Sequence, residues 1–260
     1  MNLSCREVSV RIGTKVLLDQ VNVQLRPGRV TAILGPNGAG KSTLLAVLSG
    51  ERQPTRGQVE LDQQPLAGFS ASALALRRAV MPQESAVAFD FSAREIVALG
   101  RFPHRKAPAH DEDAIIAAAM ALTDVTALGE RVLNTLSGGE KARVHMARAL
   151  AQIWYPRPDG TDRWLLLDEP TAALDLAHQH IAMRLLRGRT AEGVGVAVVL
   201  HDVNLALRYA DDVVVVSPTH GIQQGPALQI LAPGLIESVW QTPCEFVNSK
   251  DGTPQYLFSA

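Results

Sequence analysis

Val8, Val10 and Ile12 alternate with Ser9 and Arg11, and this period-two pattern predicts a strand with one buried face. A turn at Gly13-Thr14 follows, then two strand-like runs, Val16 to Leu18 and Val21 to Leu25, and a turn at Pro27-Gly28. Arg29 to Leu34 is a short β-branched run of the buried kind, broken by the stretch from Gly35 to Gly40. Ser42 to Ser49 reads as a helix closed by Gly50. Val59 to Leu61 and Ala79 to Met81 are further short strands. From Phe91 to about Trp154 the texture turns helical. Ala93 to Gly100 and Asp111 to Leu122 are alanine-rich, with Asp111, Glu112 and Asp113 in a first turn where the helix dipole favours carboxylates. Ser137 caps a long helix running to about Ile153, and Pro156 to Asp162 is a loop. Trp164 to Leu167 and Val194 to Leu200 are apolar runs of the buried parallel-strand kind, with a helix from about Leu176 to Arg187 between them. Val213 to Val216 is one more strand. This order predicts an α/β chain in which a β-rich start leads into an α/β core, a helical insert and an α/β return.

Composition narrows the class without naming a function. The 260 residues are 47% hydrophobic and 20% charged with a net charge of -1, which suits a globular chain with a sizeable core. That balance excludes an intrinsically disordered chain and gives no support to a basic nucleic-acid surface. Cys5 and Cys244 are too few for a disulfide framework or a zinc site, and fit reduced thiols. The N-terminus has early charges and no apolar h-region. The longest uncharged stretch, Val213 to Ile236, is broken by Pro218, Pro226 and Pro233, so no transmembrane helix is expected. Any membrane role must come through a partner.

Three motifs carry chemistry. Gly35-Pro36-Asn37-Gly38-Ala39-Gly40-Lys41-Ser42, followed by Thr43, matches the phosphate-loop pattern between a predicted strand and a predicted helix. Its glycines let backbone N–H groups turn toward phosphate oxygens, and the helix N-terminus adds positive potential. Lys41 can reach the β- and γ-phosphates, and the Ser42 hydroxyl can ligate Mg²⁺. Trp164 to Glu169 is an apolar strand ending in two carboxylates: Asp168 suits the Mg²⁺ position beside the loop, and Glu169 points to where an attacking water would sit. Leu136-Ser137-Gly138-Gly139-Glu140 opens a helix with two glycines and a hydroxyl, a second anion site. Two phosphate-binding helix ends in one chain are natural if two copies face each other and sandwich each nucleotide.

In this order the motifs resemble the nucleotide-binding subunit of ABC transporters, over nearly the whole chain. The resemblance implies the P-loop NTPase ABC ATPase fold: an N-terminal antiparallel β subdomain and an inserted α-helical subdomain within one domain over 1–260. The core and β subdomain would take 1–84 and 161–260, and the helical subdomain about 85–160. It implies ATP and Mg²⁺ as cofactors, with Ser42, Gln83 and Asp168 around the metal. Gln83 resembles the Q-loop glutamine, Asp175 the D-loop aspartate, and His201 the switch histidine that holds the γ-phosphate and positions Glu169. Ser137, Gly138, Gly139 and Asp175 would contact the nucleotide of the opposite protomer. Many members stack an aromatic residue on adenine from the early strand; the candidates here, Val10 and Ile12, are not aromatic.

Two further stretches bear on cargo. Leu99-Gly100-Arg101-Phe102-Pro103-His104 looks like a segment of ATPases serving importers of ferric siderophores, haem and vitamin B12. The insert from Ala151 through Trp164 is similar to that of haemin-import ATP-binding proteins. By itself the insert reads as a variable surface loop, His104 as a solvated loop histidine, and His178 and His180 as an exposed helix face. The resemblance implies a homodimer on two copies of a transmembrane permease at the cytoplasmic face of the inner cell membrane. A periplasmic haem-binding protein would act indirectly, with no nucleic acid involved. A ferric-siderophore or cobalamin importer is the alternative, and a nucleotide-gated interaction module without transport is the alternative of another class.

Overall fold

The computed structural model describes residues 2–83 and 89–259. In chain order the elements are β1 (Leu3–Ile12), β2 (Lys15–Leu25), β3 (Val30–Leu34), α1 (Lys41–Ser49), β4 (Arg56–Leu61), β5 (Gln64–Pro65), α2 (Ala71–Ala75) and β6 (Arg78–Met81). Next come α3 (Ala93–Leu99), α4 (Glu112–Leu122), α5 (Gly138–Gln152), β7 (Trp164–Asp168), α6 (Leu176–Thr190), β8 (Gly195–Val199) and α7 (Val203–Tyr209). The chain closes with β9 (Asp212–Ser217), β10 (Gly221–Pro226), α8 (Ala227–Ile230), α9 (Pro233–Trp240), β11 (Cys244–Asn248) and β12 (Pro254–Phe258).

The expected α/β architecture is present. β10-β9-β3-β8-β7-β6 form a mixed sheet whose neighbours are parallel except for the β9–β10 edge pair. Its central strands β3, β7, β8 and β9 are buried along their whole length, which is why they read as unbroken apolar runs. One sheet face packs on α5, α6 and α7 through Met146, Leu150, Met183, Leu186 and Ala206. The other packs on α1 and on the antiparallel sheet β2-β1-β4-β5 through Leu44, Leu48, Val8, Val23 and Leu61. Helices α3, α4 and α5 bury a core of their own around Ile96, Ile115, Val125 and Ala147. The expected subdomain boundary at 84/85 lies outside the described residues.

Several elements extend or escape the hydrophobic pattern. β1 begins at Leu3 rather than Val8, because a bulge at Glu7, with φ 50°, keeps Cys5 and Val8 both inward and breaks the alternation. The uncharged stretch from Val213 to Ile236 becomes β9, β10, α8 and the start of α9. Among the described residues no helix is long and apolar enough to cross a membrane. The β11–β12 hairpin is anchored by Tyr256, whose N–H donates to Asn204 Oδ1 (2.7 Å) and whose hydroxyl donates to the Leu231 carbonyl (2.6 Å). Asn204 sits at the start of α7, so the hairpin braces the helix that follows His201.

Trp164 opens β7 and is 1% exposed. Its ring packs against Gly195, where a Cβ would come within 2.5 Å of the indole. Trp164→Ala is expected to lower unfolding free energy by about 3–5 kcal/mol through lost burial and the cavity left behind. Urea denaturation followed by far-UV circular dichroism measures it. An unchanged midpoint would mean that the sheet does not depend on this contact.

Candidate functional site

The phosphate loop leaves β3 at Gly35 and enters α1 at Lys41. Its shape requires glycine at two places. Gly35 has φ 146°, and a Cβ there would stand 2.2 Å from the Val216 carbonyl oxygen. Gly40 has φ 106°, and a Cβ there would stand 2.8 Å from the Leu17 carbonyl oxygen. As the N-cap of α1, Gly40 supplies no side-chain acceptor, and the first turn holds no acid. By contrast α3, α5, α6 and α7 are capped by Ser92, Ser137, Asp175 and Asp202. The first N–H groups of α1 are therefore free to meet an anion.

Lys41 is buried and folds back over the loop, donating to the carbonyls of Gly35 (2.9 Å) and Pro36 (3.1 Å). Burial pulls its pKa below the usual lysine value, while the carboxylates of Glu169 and Asp168 pull it back up. The Ser42 hydroxyl donates to Asp168 Oδ1 (3.2 Å). Asp168 is the last residue of β7 and is buried; burial raises its pKa, opposed by the Ser42 hydrogen bond and assisted by neighbouring Glu169. Glu169 adopts a left-handed backbone, φ 51°, which is uncommon for a residue with a side chain and costs about 1–3 kcal/mol. That conformation swings its carboxylate into a bridge: Oε1 lies 2.6 Å from His201 Nε2, and Oε2 accepts from Gln83 Nε2 at 2.9 Å.

Asn37, Gly38, Gly40, Lys41, Ser42, Thr43, Gln83, Glu169 and His201 thus line one cleft of about 510 Å³. Two residues the motifs did not indicate, Lys15 and Leu17, complete its wall. Val10, one of the expected adenine positions, is buried in the core, and neither it nor Ile12 lines the cleft. The Gly13-Thr14 turn is the signal that carries the chain past Ile12 and back over the loop.

Among the described residues no three His, Cys, Asp or Glu side chains gather as a metal cage. A hard cation bound with a polyphosphate needs less: one or two carboxylates and a few oxygens, the rest coming from phosphate and water. The Ser42 hydroxyl, the buried Asp168 carboxylate and the Gln83 amide fit that description.

Ser137, Gly138, Gly139 and Asp175 do not line this cleft. Ser137 and Gly138 are exposed at the start of α5. The Ser137 hydroxyl accepts from the Glu140 N–H (3.3 Å), and the Glu140 carboxylate accepts from the Ser137 N–H (2.7 Å). The Ser137 N–H, and after it the Ser137 hydroxyl, hold the Glu140 carboxyl below its usual pKa. The N–H groups of Gly138 and Gly139 are still free to donate outward. Gly139 packs on the segment before Asp175, where a Cβ would stand 2.9 Å from the Ala173 carbonyl oxygen. Asp175 caps α6, accepting from the His178 N–H (2.9 Å).

Three histidines differ from their sequence reading. His104 is half-buried and meets the Gln152 carbonyl at 2.7 Å. His178 is half-buried against Asp175, and His180 meets the Tyr209 hydroxyl at 2.8 Å. The insert is a surface loop where the sequence places it, with Pro156, Pro158 and Gly160 exposed, and it is pinned at its end by Arg163, which is 3% exposed.

The ABC transporter family model matches residues 18–172. A hemin import ATP-binding protein of Nocardia farcinica is 49% identical over 234 residues, 89% of this chain and 78% of that protein. Another of the same name from Thermobifida fusca is 43% identical over 257 residues, 98% of this chain and 88% of that one. An inward-facing structure of a putative metal-chelate type ABC transporter superposes with TM-score 0.81 at 26% identity, covering 100% of this chain and 98% of that one. A dimeric ATP-binding cassette in a post-hydrolysis state with ADP and Pi superposes with TM-score 0.74 at 26% identity, covering 86% and 98%.

Proposed function

Because the chain belongs to the ABC transporter family, we propose that it is the ATP-hydrolysing subunit of an importer for haem. The observation that carries the ATPase chemistry is the bridge from Glu169 to Gln83 and His201, set beside Lys41 and Ser42 in one cleft.

ATP enters with its phosphates against the α1 N-terminus, and its γ-phosphate replaces the carbonyls that Lys41 now holds. Leu17 and the stem of Lys15 supply apolar wall for the nucleoside. Ser42 and Asp168 would hold Mg²⁺ beside Gln83, and the cation would offset the charge of the phosphates. Entry of a γ-phosphate draws His201 onto its oxygens and frees the Glu169 carboxylate to accept a proton from, or orient, the attacking water. In-line attack then breaks the bond between the γ-phosphorus and the β–γ bridging oxygen, giving ADP and phosphate.

A second copy, docked head to tail, brings Ser137, Gly139 and Asp175 to the exposed side of each nucleotide. ATP then holds the copies together, and hydrolysis removes the charge that joined them. The helical subdomain, about residues 85–160, would carry Ser137 in this closure. Such a dimer would sit on two copies of a transmembrane permease at the cytoplasmic face of the membrane, with Mg²⁺ supplied by the cell and a periplasmic haem-binding protein delivering cargo.

The names of these two relatives support haem over other chelates. Reconstitution with the cognate permease in vesicles tests this. ATP-dependent accumulation of haem, at least tenfold above that of a ferric siderophore or cobalamin, is the expected result. Uptake of cobalamin or siderophore alone would overturn the cargo and leave the ATPase role standing.

A further inference from the structure

The two stretches that marked the sequence as distinctive, 99–104 and the insert, meet at one place: the C-terminal end of α5. A helix end leaves its last carbonyls without intrahelical partners, and cations are favoured there. Here the carbonyls of Ala151 and Gln152, and those of Ile153 and Trp154 just past the helix end, receive side chains. Arg101 Nη1 donates to the Ala151 carbonyl at 2.7 Å, and His104 Nε2 donates to that of Gln152 at 2.7 Å. Arg163 Nη1 donates to the carbonyls of Ile153 (2.7 Å) and Trp154 (3.0 Å), and Arg189 Nη2 reaches Trp154 as well (3.1 Å). The four donors form a collar.

Its two sides come from different layers. Arg163 precedes β7 and Arg189 lies on α6, both part of the sheet core. Arg101 and His104 follow α3, and Arg101 is fixed in turn by two bonds to Glu112 of α4 (2.6 and 3.0 Å). Gly100 lets α3 press on α5 so closely that a Cβ there would stand 2.3 Å from the Arg148 carbonyl oxygen. The same end of α5 is tied to the strand leading to Gln83 and to the end of α2 before it: Arg148 Nη2 donates to the Val80 carbonyl (3.0 Å), and Gln152 Nε2 to those of Arg78 (2.9 Å) and Ala75 (2.8 Å).

α5 is a 15-residue rod, about 22 Å long, with the collar at one end and Ser137 at the other. A tilt of about 5° at the collar would move Ser137 by about 2 Å, and misplacement of that order disables a composite site. We propose that Arg101 and His104 are positioning residues for ATP-driven closure: by holding the C-terminal carbonyls of α5 they aim Ser137 and Gly139 at the nucleotide of a second copy. This rests on the two-copy reading given above. Neither residue lines the nucleotide cleft, so their effect passes through the helix.

The test compares His104→Ala with His104→Gln, each alone and combined with Glu169→Gln, in the full chain. A glutamine amide can still donate to the Gln152 carbonyl, whereas alanine cannot. His104→Ala should weaken ATP-driven dimerisation about tenfold and lower kcat about as much, with ADP binding by the monomer within about twofold of wild type. His104→Gln should restore both. Arg101→Gln should weaken closure in the same way. Equal loss in His104→Ala and His104→Gln, or monomer ADP affinity falling in step with closure, would overturn the proposal, as would full activity in His104→Ala. If Glu169→Gln with an intact collar fails to dimerise on ATP, the two-copy reading itself fails, whatever the collar variants do.

Discussion

Glu169→Gln will lower steady-state ATP hydrolysis about 10²- to 10⁴-fold, the range for removing a positioned general base. ATP binding will survive, and the protein will accumulate as an ATP-bound dimer. The substitution removes charge and basicity with little change of shape. An amide oxygen can still accept from Gln83 Nε2, now 2.9 Å from Oε2, and the left-handed backbone at 169 is unchanged. Asp168 and Ser42 keep their contact, so the cation and phosphate positions remain. Loss of the Glu169 charge also removes one contribution that raises the Asp168 pKa, which keeps that carboxylate ionised. Rapid-quench hydrolysis, with fluorescent nucleotide binding and size-exclusion chromatography on the same preparation, separates the effects. Hydrolysis at the wild-type rate would remove Glu169 from the base position. Loss of binding together with turnover would make it a binding group instead.

Much of this site is legible in the sequence because its parts are local. A strand, a glycine loop and a helix follow one another within Val30 to Ser49, and β7 delivers Asp168 and Glu169 side by side. Steric demand at Gly35 and Gly40 turns those letters into a shape that few other residues could hold. What escapes is either aperiodic or non-local. α7 buries Val203, Leu205, Ala206, Leu207 and Tyr209, so it has almost no polar face to reveal a helical period. The β11–β12 hairpin has the opposite difficulty, with Tyr256 its one fully buried side chain among the described residues. His104 looks like a loop histidine because its partner lies 48 residues away, at the end of another helix. The left-handed turn that aims Glu169 has no letter of its own, since glycine, the usual mark of such a turn, is absent there.

The separation of Ser137 from the nucleotide cleft gives the second large effect, a rescue between two inactive proteins. Lys41→Ala removes the buried ammonium that would meet the γ-phosphate, leaving only Lys15 at the cleft wall against the carboxylates of Asp168 and Glu169, and should cut ATP turnover at least a hundredfold. Ser137→Arg places a bulky side chain on the exposed end of α5 and should cut turnover as strongly. Its cost in folding is only the lost cap, about 1 kcal/mol. In a head-to-tail dimer each site takes the loop of one copy and Ser137 of the other. A Lys41→Ala copy paired with a Ser137→Arg copy therefore gathers both defects into one site and leaves the second intact. Co-refolded at equal concentrations, half the dimers are mixed, and about a quarter of wild-type single-turnover hydrolysis should return. If each chain instead completed its own site, every site in the mixture would carry one defect and nothing would return. That outcome would contradict the geometry as well as the dimer, because it would require Ser137 to reach a cleft that it does not line in its own chain.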